Sequence, residues 1–203
     1  MPKIVDKKAK KLDIVHAALK EFARKGVANT KMADIARAAG IGKGTIYEYF
    51  KDKNEIFVES FNQFLATMDT ILGGKIYRLS DPVEKLKAFF QGWGELIAHT
   101  GDDYIGVMLE FWAEGIRESH DFAKSPINLK EIYEQFRAML KAILDEGIAQ
   151  GKFREINSTY TAALLIGALD GLMLQWILDK TIFPVQDIID HVVEEFLTGI
   201  MKQ

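Results

Sequence analysis

The sequence predicts an all-α protein of about nine helices, with an N-terminal three-helix unit containing a helix-turn-helix and a larger C-terminal helical body. Three observations carry this reading. Apolar residues recur with the helical period through most of the 203 residues, and few runs alternate as strands do. Only four prolines interrupt the chain. Residues 30 to 50 read as two short helices broken by a glycine turn. With 48% hydrophobic and 27% charged residues, the composition is that of a globular protein able to bury a core of its own.

Taken in order, the first helix is expected over Lys7 to Lys25, with Leu12, Val15, Leu19 and Phe22 on one face and Gly26 as its stop signal. Thr30 then stands where an N-cap belongs, and Met32, Ile35, Ala36 and Ala39 keep the helical period. Gly40 is free to take the left-handed conformation that ends a helix. Lys43 to Tyr49 forms the second helix of the pair, anchored inward by Ile46 and Phe50 at i, i+4. Asp52 is placed to cap a longer helix from Lys53, whose apolar positions run to Gly73-Gly74. In the body, Asp81-Pro82 opens a helix to about His99, Tyr104 to Glu118 forms another, and Ser125-Pro126 opens a long one to about Gly151. Ser158 caps a helix to Asp179, and Pro184 starts the last, ending near Met201. The expected division is a head of residues 1–53 and a body of residues 54–203.

Two helices joined by a three-residue glycine turn match the helix-turn-helix DNA reader. Charge supports this. Residues 1–55 carry 13 lysines and arginines against 7 acidic residues, and the remaining 148 carry 13 against 22. A basic head on an acidic body puts the polyanion-binding surface at the N-terminus. Enzyme chemistry finds no support. The four histidines are scattered without metal-ligand spacing, cysteine is absent, and the Gly40 cluster fits neither phosphate-loop spacing. No metal or cofactor site is expected. Residues 162 to 178 are nearly continuously apolar, but 17 residues with Asp170 at the centre fall short of the ~20 a membrane span needs. Burial in a subunit interface is the expectation, with no membrane partner and a cytoplasmic location.

The run Ile35-Ala-Arg-Ala-Ala-Gly-Ile-Gly-Lys-Gly-Thr-Ile-Tyr-Glu-Tyr-Phe-Lys-Asp-Lys53 closely resembles the signature of TetR/AcrR-type transcriptional regulators. The order of elements matches too: one helix before the pair, a connecting helix after it, then about five more. The resemblance implies a homodimer that binds a palindromic double-stranded DNA operator, most simply a repressor released by a small hydrophobic effector. A DNA-binding regulator controlled by a protein partner, or without ligand, is the alternative. On the exposed side of the second helix, Gly44 would let the helix lie close to base edges, and Thr45 can offer a methyl or a hydroxyl. Lys43, Tyr47 and Tyr49 suit phosphates, as does Lys53 at the start of the next helix. Glu48 suits a cytosine amine and is expected to choose among bases. Thr30 and Lys31, at the start of the pair's first helix, complete the set of DNA contacts.

The body is rich in large soft residues: Phe89, Trp93, Met108, Phe111, Trp112, Phe136, Met139, Leu140, Met173 and Trp176. Some of them are plain core, but aromatics and Met also line adaptable apolar pockets, and the family places its inducer cavity among these helices. Glu110 and Glu114 could hold a cation beside Phe111 and Trp112, although a solvated acidic face is the simpler reading. A neutral or acyl-type effector is therefore expected. The resemblance places dimerisation on the last two long helices, where Leu165, Leu169, Leu172, Ile188, Val192 and Phe196 are candidates for the seam; their other possible role is the protomer's own core.

Overall fold

The computed structural model describes residues 6–117 and 127–202. Among these the secondary structure is helical: α1 Lys7–Lys25, α2 Met32–Ala38, α3 Lys43–Ile46, α4 Lys53–Met68, α5 Gly74–Ile76, α6 Pro82–Arg117, α7 Leu129–Ala149, α8 Ser158–Leu178 and α9 Val185–Ile200. A π-helical turn, Asp69–Gly73, joins α4 to α5. An isolated bridge pairs Phe153 with Met201.

Local chemistry explains most boundaries. Asp6 accepts from the Lys8 and Ala9 amides to start α1, and Asp52 does the same for Asn54 and Glu55 at α4. Asp81 accepts from Val83 N–H at 2.8 Å where α6 begins. Gly40 takes φ +64° in the turn after α2, the left-handed region its missing Cβ opens.

Four boundaries depart from expectation. Lys31, not Thr30, is the residue flanking α2. The second helix of the pair stops at Ile46, and the amides of Tyr47, Glu48 and Tyr49 bond three residues back in a tightened turn. Asn157, one residue before Ser158, caps α8 by accepting from Tyr160 N–H at 3.0 Å. The two helices expected across residues 82–118 are one helix through Gly101. A single glycine costs about 1 kcal/mol in a helix, less than one buried side chain returns, and Leu96, Val107, Met108 and Phe111 are all buried along it. The end expected at Glu118 and the start expected at Ser125-Pro126 lie outside the described residues.

The chain divides into two compact units, which do not follow a cut at residue 53. The first takes the described residues up to 66 together with those from 100 to 128, so the distal half of α6 belongs with the head. Its core joins Ile14, Val15, Leu19 and Phe22 of α1 with Ile35, Ile46 and Phe50 of the helix pair, all sealed from solvent. Leu12 falls off that face and is 36% exposed. Phe57 meets Phe22 edge-on at 6.0 Å and Phe111 at 4.6 Å, and Phe61 meets Phe111 at 4.9 Å.

The second unit takes residues 67 to 99 and 129 onward. Lys85 pairs with Glu146 at 2.6 Å and Lys152 with Asp81 at 2.6 Å, tying the start of α6 to the end of α7 and the turn after it. There Phe153 lies so close to α7 that a Cβ at position 147 would fall 2.0 Å from its ring, a place only Gly147 can fill. Arg154 N–H donates to Ile200 C=O and Lys202 N–H to Lys152 C=O, so the end of α9 is stitched to this turn. Phe90 packs against Phe196 and Trp93 against Phe136.

Candidate DNA-reading head and ligand cleft

The helix pair is held from beneath. Ile46 and Phe50 are 0% and 1% exposed, and such burial is worth ~1.5–3 kcal/mol per side chain. With these two fixed, Lys43, Gly44, Tyr47 and Glu48 are left on the outer surface, with Thr45 and Tyr49 half-buried at its edges. A Cβ at position 44 would meet nothing within 4 Å, and its φ is not positive, so the fold itself does not require glycine there. Lys31 is exposed as well.

Two candidates are placed otherwise. Thr30 is 1% exposed, its hydroxyl donating to Gly26 C=O at 2.8 Å and Glu21 C=O at 3.3 Å. It is a structural residue of the turn and has no face left for DNA. The Lys53 ammonium donates to Val27 C=O and Ala28 C=O, both at 2.8 Å, which leaves at most one of its three N–H donors for a phosphate. Glu110 was expected to hold a cation or face solvent. Instead both its carboxylate oxygens accept the Val27 amide, at 3.1 and 3.2 Å. Sequence reasoning missed this clamp because its partners are 83 residues apart. Lys25 lies 2.9 Å from Asp34 and 3.0 Å from Glu21, and it holds the Asp34 carboxyl below the ordinary carboxylate range.

The soft residues of the body do not form one cluster. Met108, Phe111 and Trp112 belong to the first unit, where Phe111 is committed to the phenylalanine core. In the second unit Phe89 and Leu140 are 0% exposed core, and Phe136 and Met139 are half-buried. Trp93, Met173 and Trp176 do come together, in a cleft completed by Ile97, Leu169, Leu172, Phe183, Val185, Ile188 and Ile189. Its free space is about 20 Å³, room for roughly one water, so anything larger enters only by parting α6, α8 and α9. Among the described residues no carboxylate lines it. The Lys180 ammonium sits 5.2 Å from the Trp176 ring. Asp170, next to Leu169 in sequence, accepts from the Tyr133 hydroxyl at 2.7 Å.

The residues expected at the seam mostly face inward in the protomer. Leu165 and Leu169 are 2% and 4% exposed, sealed in the protomer's own core. Leu172 and Ile188 line the cleft, Phe196 packs on Phe90, and Val192 is half-buried. What α8 leaves uncovered is its opposite side: Tyr160 at 75%, Leu164 at 68% and Leu178 at 75% exposed, with Gly167 between. A helix apolar all round hides which side is which, and this concealed the exposed stripe from periodicity.

A helix-turn-helix with Lys43, Gly44, Tyr47 and Glu48 outward, followed by a helical body with an apolar cleft, is the architecture of a DNA-binding regulator. Residues 14–59 match the family of bacterial regulatory proteins of the TetR type, and residues 83–202 match the C-terminal part of BetI-type transcriptional repressors. The chain belongs to the TetR family of transcriptional regulators and is not an enzyme. It is 26% identical over 195 residues to the fatty acid metabolism regulator protein of Bacillus subtilis, covering 96% of this chain and 97% of that one. The FadR regulator of Bacillus subtilis, solved in complex with stearoyl-CoA, superposes with a TM-score of 0.75 at 26% identity, covering 93% of this chain and 98% of that one. A regulator from Saccharomonospora viridis solved with choline shares the fold, with a TM-score of 0.79 at 22% identity over 97% of this chain and all of that one.

Proposed function

We propose that this protein is a dimeric, cytoplasmic repressor that leaves its operator when an acyl-type effector enters the cleft of the second unit. The observation that carries the choice of effector is the cleft's lining, apolar and aromatic with no carboxylate among the described residues. A quaternary ammonium ligand needs an anionic or open aromatic partner. Here the Trp176 ring already faces the Lys180 ammonium, and Glu110 is engaged by Val27. An acyl chain needs only apolar wall and a place for its polar end. The stearoyl-CoA complex of the Bacillus subtilis regulator supports the same class.

At the DNA, Lys31, Lys43, Tyr47 and Tyr49 hold phosphates, Gly44 and Thr45 approach base edges, and Glu48 selects among them. Two copies related by a two-fold axis read half-sites about one helical turn, ~34–36 Å, apart or a multiple of it. The exposed stripe of α8 supplies the contact between them. The effector shifts the balance only by binding better to the form with the parted cleft than to the DNA-competent form.

Thermal unfolding with added ligands tests this. Palmitoyl-CoA at a hundred times its Kd adds ~2.7 kcal/mol, a rise in Tm of roughly 5–11 °C for a chain of this size, while choline adds nothing. Operator duplex selected from a random pool is then released by palmitoyl-CoA in fluorescence anisotropy. A rise with choline alone overturns the acyl assignment, and a rise with neither favours control by a protein partner.

A further inference from the structure

Trp93 is 8% exposed, and its indole nitrogen is buried without an acceptor among the described residues. Trp93 also forms part of the cleft wall, between Ile97 one turn on along α6 and the α8 and α9 residues opposite. These two facts bear on each other. A buried N–H left unpaired is costly, and folded proteins seldom leave one so. Phenylalanine would fill a core position of this kind with no such penalty. Tryptophan here keeps a buried, unpaired donor on a residue that lines a cleft otherwise aliphatic and aromatic.

We infer that the Trp93 indole N–H is the polar anchor of the effector, donating to a carbonyl or carboxylate oxygen at the head of an acyl chain. The inference rests on the acyl reading above and deepens it. The remaining liners offer thioether, alkyl and aromatic surface, with only Trp176 bringing a second N–H. The chain is then held by area and the head by one donor. That arrangement reads the presence of the oxygen as well as the length of the chain, because meeting a buried donor counts for at least as much as burying one methylene. The oxygen can come from a thioester or from a free fatty acid. An alkyl chain without it leaves the donor unmet.

Isothermal titration of the full-length protein with three probes separates these cases: palmitoyl-CoA, palmitate, and S-hexadecyl-CoA, a thioether that lacks the carbonyl. Wild type should bind palmitoyl-CoA about tenfold more tightly than the thioether, and Trp93→Phe should erase that difference by weakening the thioester alone. Palmitate weakened in the variant as well shows that the anchor accepts a free carboxylate; palmitate unchanged assigns it to the thioester. Equal loss of both CoA compounds in Trp93→Phe makes Trp93 a packing residue and overturns the inference. Equal binding of both by wild type overturns it without any substitution, whether or not the variant folds. If wild type binds none of the three probes, the acyl reading itself has failed, an outcome distinct from the other two.

Discussion

At the scale of a single residue, Asp170 is the least expected group in its surroundings. It lies half-buried at the centre of α8, a helix with no other charged residue. That helix is long and apolar enough to cross a membrane by length and composition, yet the carboxylate is met by the Tyr133 hydroxyl of α7 at 2.7 Å. Burial pushes the Asp170 carboxyl above its ordinary value, and the Tyr133 bond opposes that. The folded state therefore holds the Asp170 proton more tightly than the unfolded chain does. Its contribution to stability falls as pH rises from the ordinary carboxylate value through the raised folded one, and stays low above it. Asp170→Asn carries no charge and keeps an oxygen to accept from Tyr133. It should melt a few degrees higher than wild type at pH 7, with the gap closing near pH 4, by differential scanning fluorimetry across that range. A gap that does not change with pH would mean that the carboxylate is ionised freely in the fold.

At the scale of the element, the short loop between α1 and α2 is gripped from several sides. Glu110 of α6 takes the Val27 amide, Lys53 of α4 takes the Val27 and Ala28 carbonyls, and Thr30 takes the Gly26 carbonyl. This loop sets where α2 begins and hence how the helix pair is presented. Glu110→Ala leaves the half-buried Val27 N–H without its charged acceptor, and should lower stability by ~1–3 kcal/mol in urea unfolding. Operator affinity should fall as well, with Glu110→Gln intermediate because it keeps one acceptor. Wild-type stability and affinity in Glu110→Ala would mean that Lys53 and Thr30 suffice. The helix pair itself was legible because Gly40, Ile46 and Phe50 act through nearest neighbours, and so were the caps at Asp52 and Asp81. The Glu110 clamp was not, since nothing local marks a partner 83 residues away. The continuity of α6 was misread for a related reason: no local signal reports the burial of Leu96 and Val107 that carries the helix through residues 99 to 104. The cleft was legible only in part. Trp93, Met173 and Trp176 stood out by size, whereas Ile97, Phe183, Val185 and Ile189 look like any core residues until the fold brings them together.

At the scale of the whole molecule, the proposed assembly rests on α8. Its inner side, Ala162, Leu165, Ile166, Leu169 and Met173, is sealed within the protomer. Its outer side carries Tyr160, Leu164, Leu174 and Leu178, 40% to 75% exposed, along ~27 Å of helix at 1.5 Å per residue. Gly167 and Gly171 lie between them, and a Cβ at either would meet nothing within 4 Å. Large apolar residues flanking small ones let a second helix approach closely, and a stripe of this length left to water invites association. In the proposed dimer a second copy covers it by two-fold symmetry, each stripe meeting its own counterpart. Leu164→Glu places a carboxylate on both sides of the axis and should give a folded monomer, with helicity unchanged by circular dichroism and half the dimer's mass in light scattering. On the proposed palindromic operator, gripped by two heads at once, the monomer loses the gain of linked binding, expected at about a hundredfold or more in affinity. Leu164→Ala, which removes apolar area without adding charge, should weaken the dimer without abolishing it. A Leu164→Glu protein that stays dimeric at micromolar concentration would move the interface off this face of α8, and with it the spacing of the two reading heads.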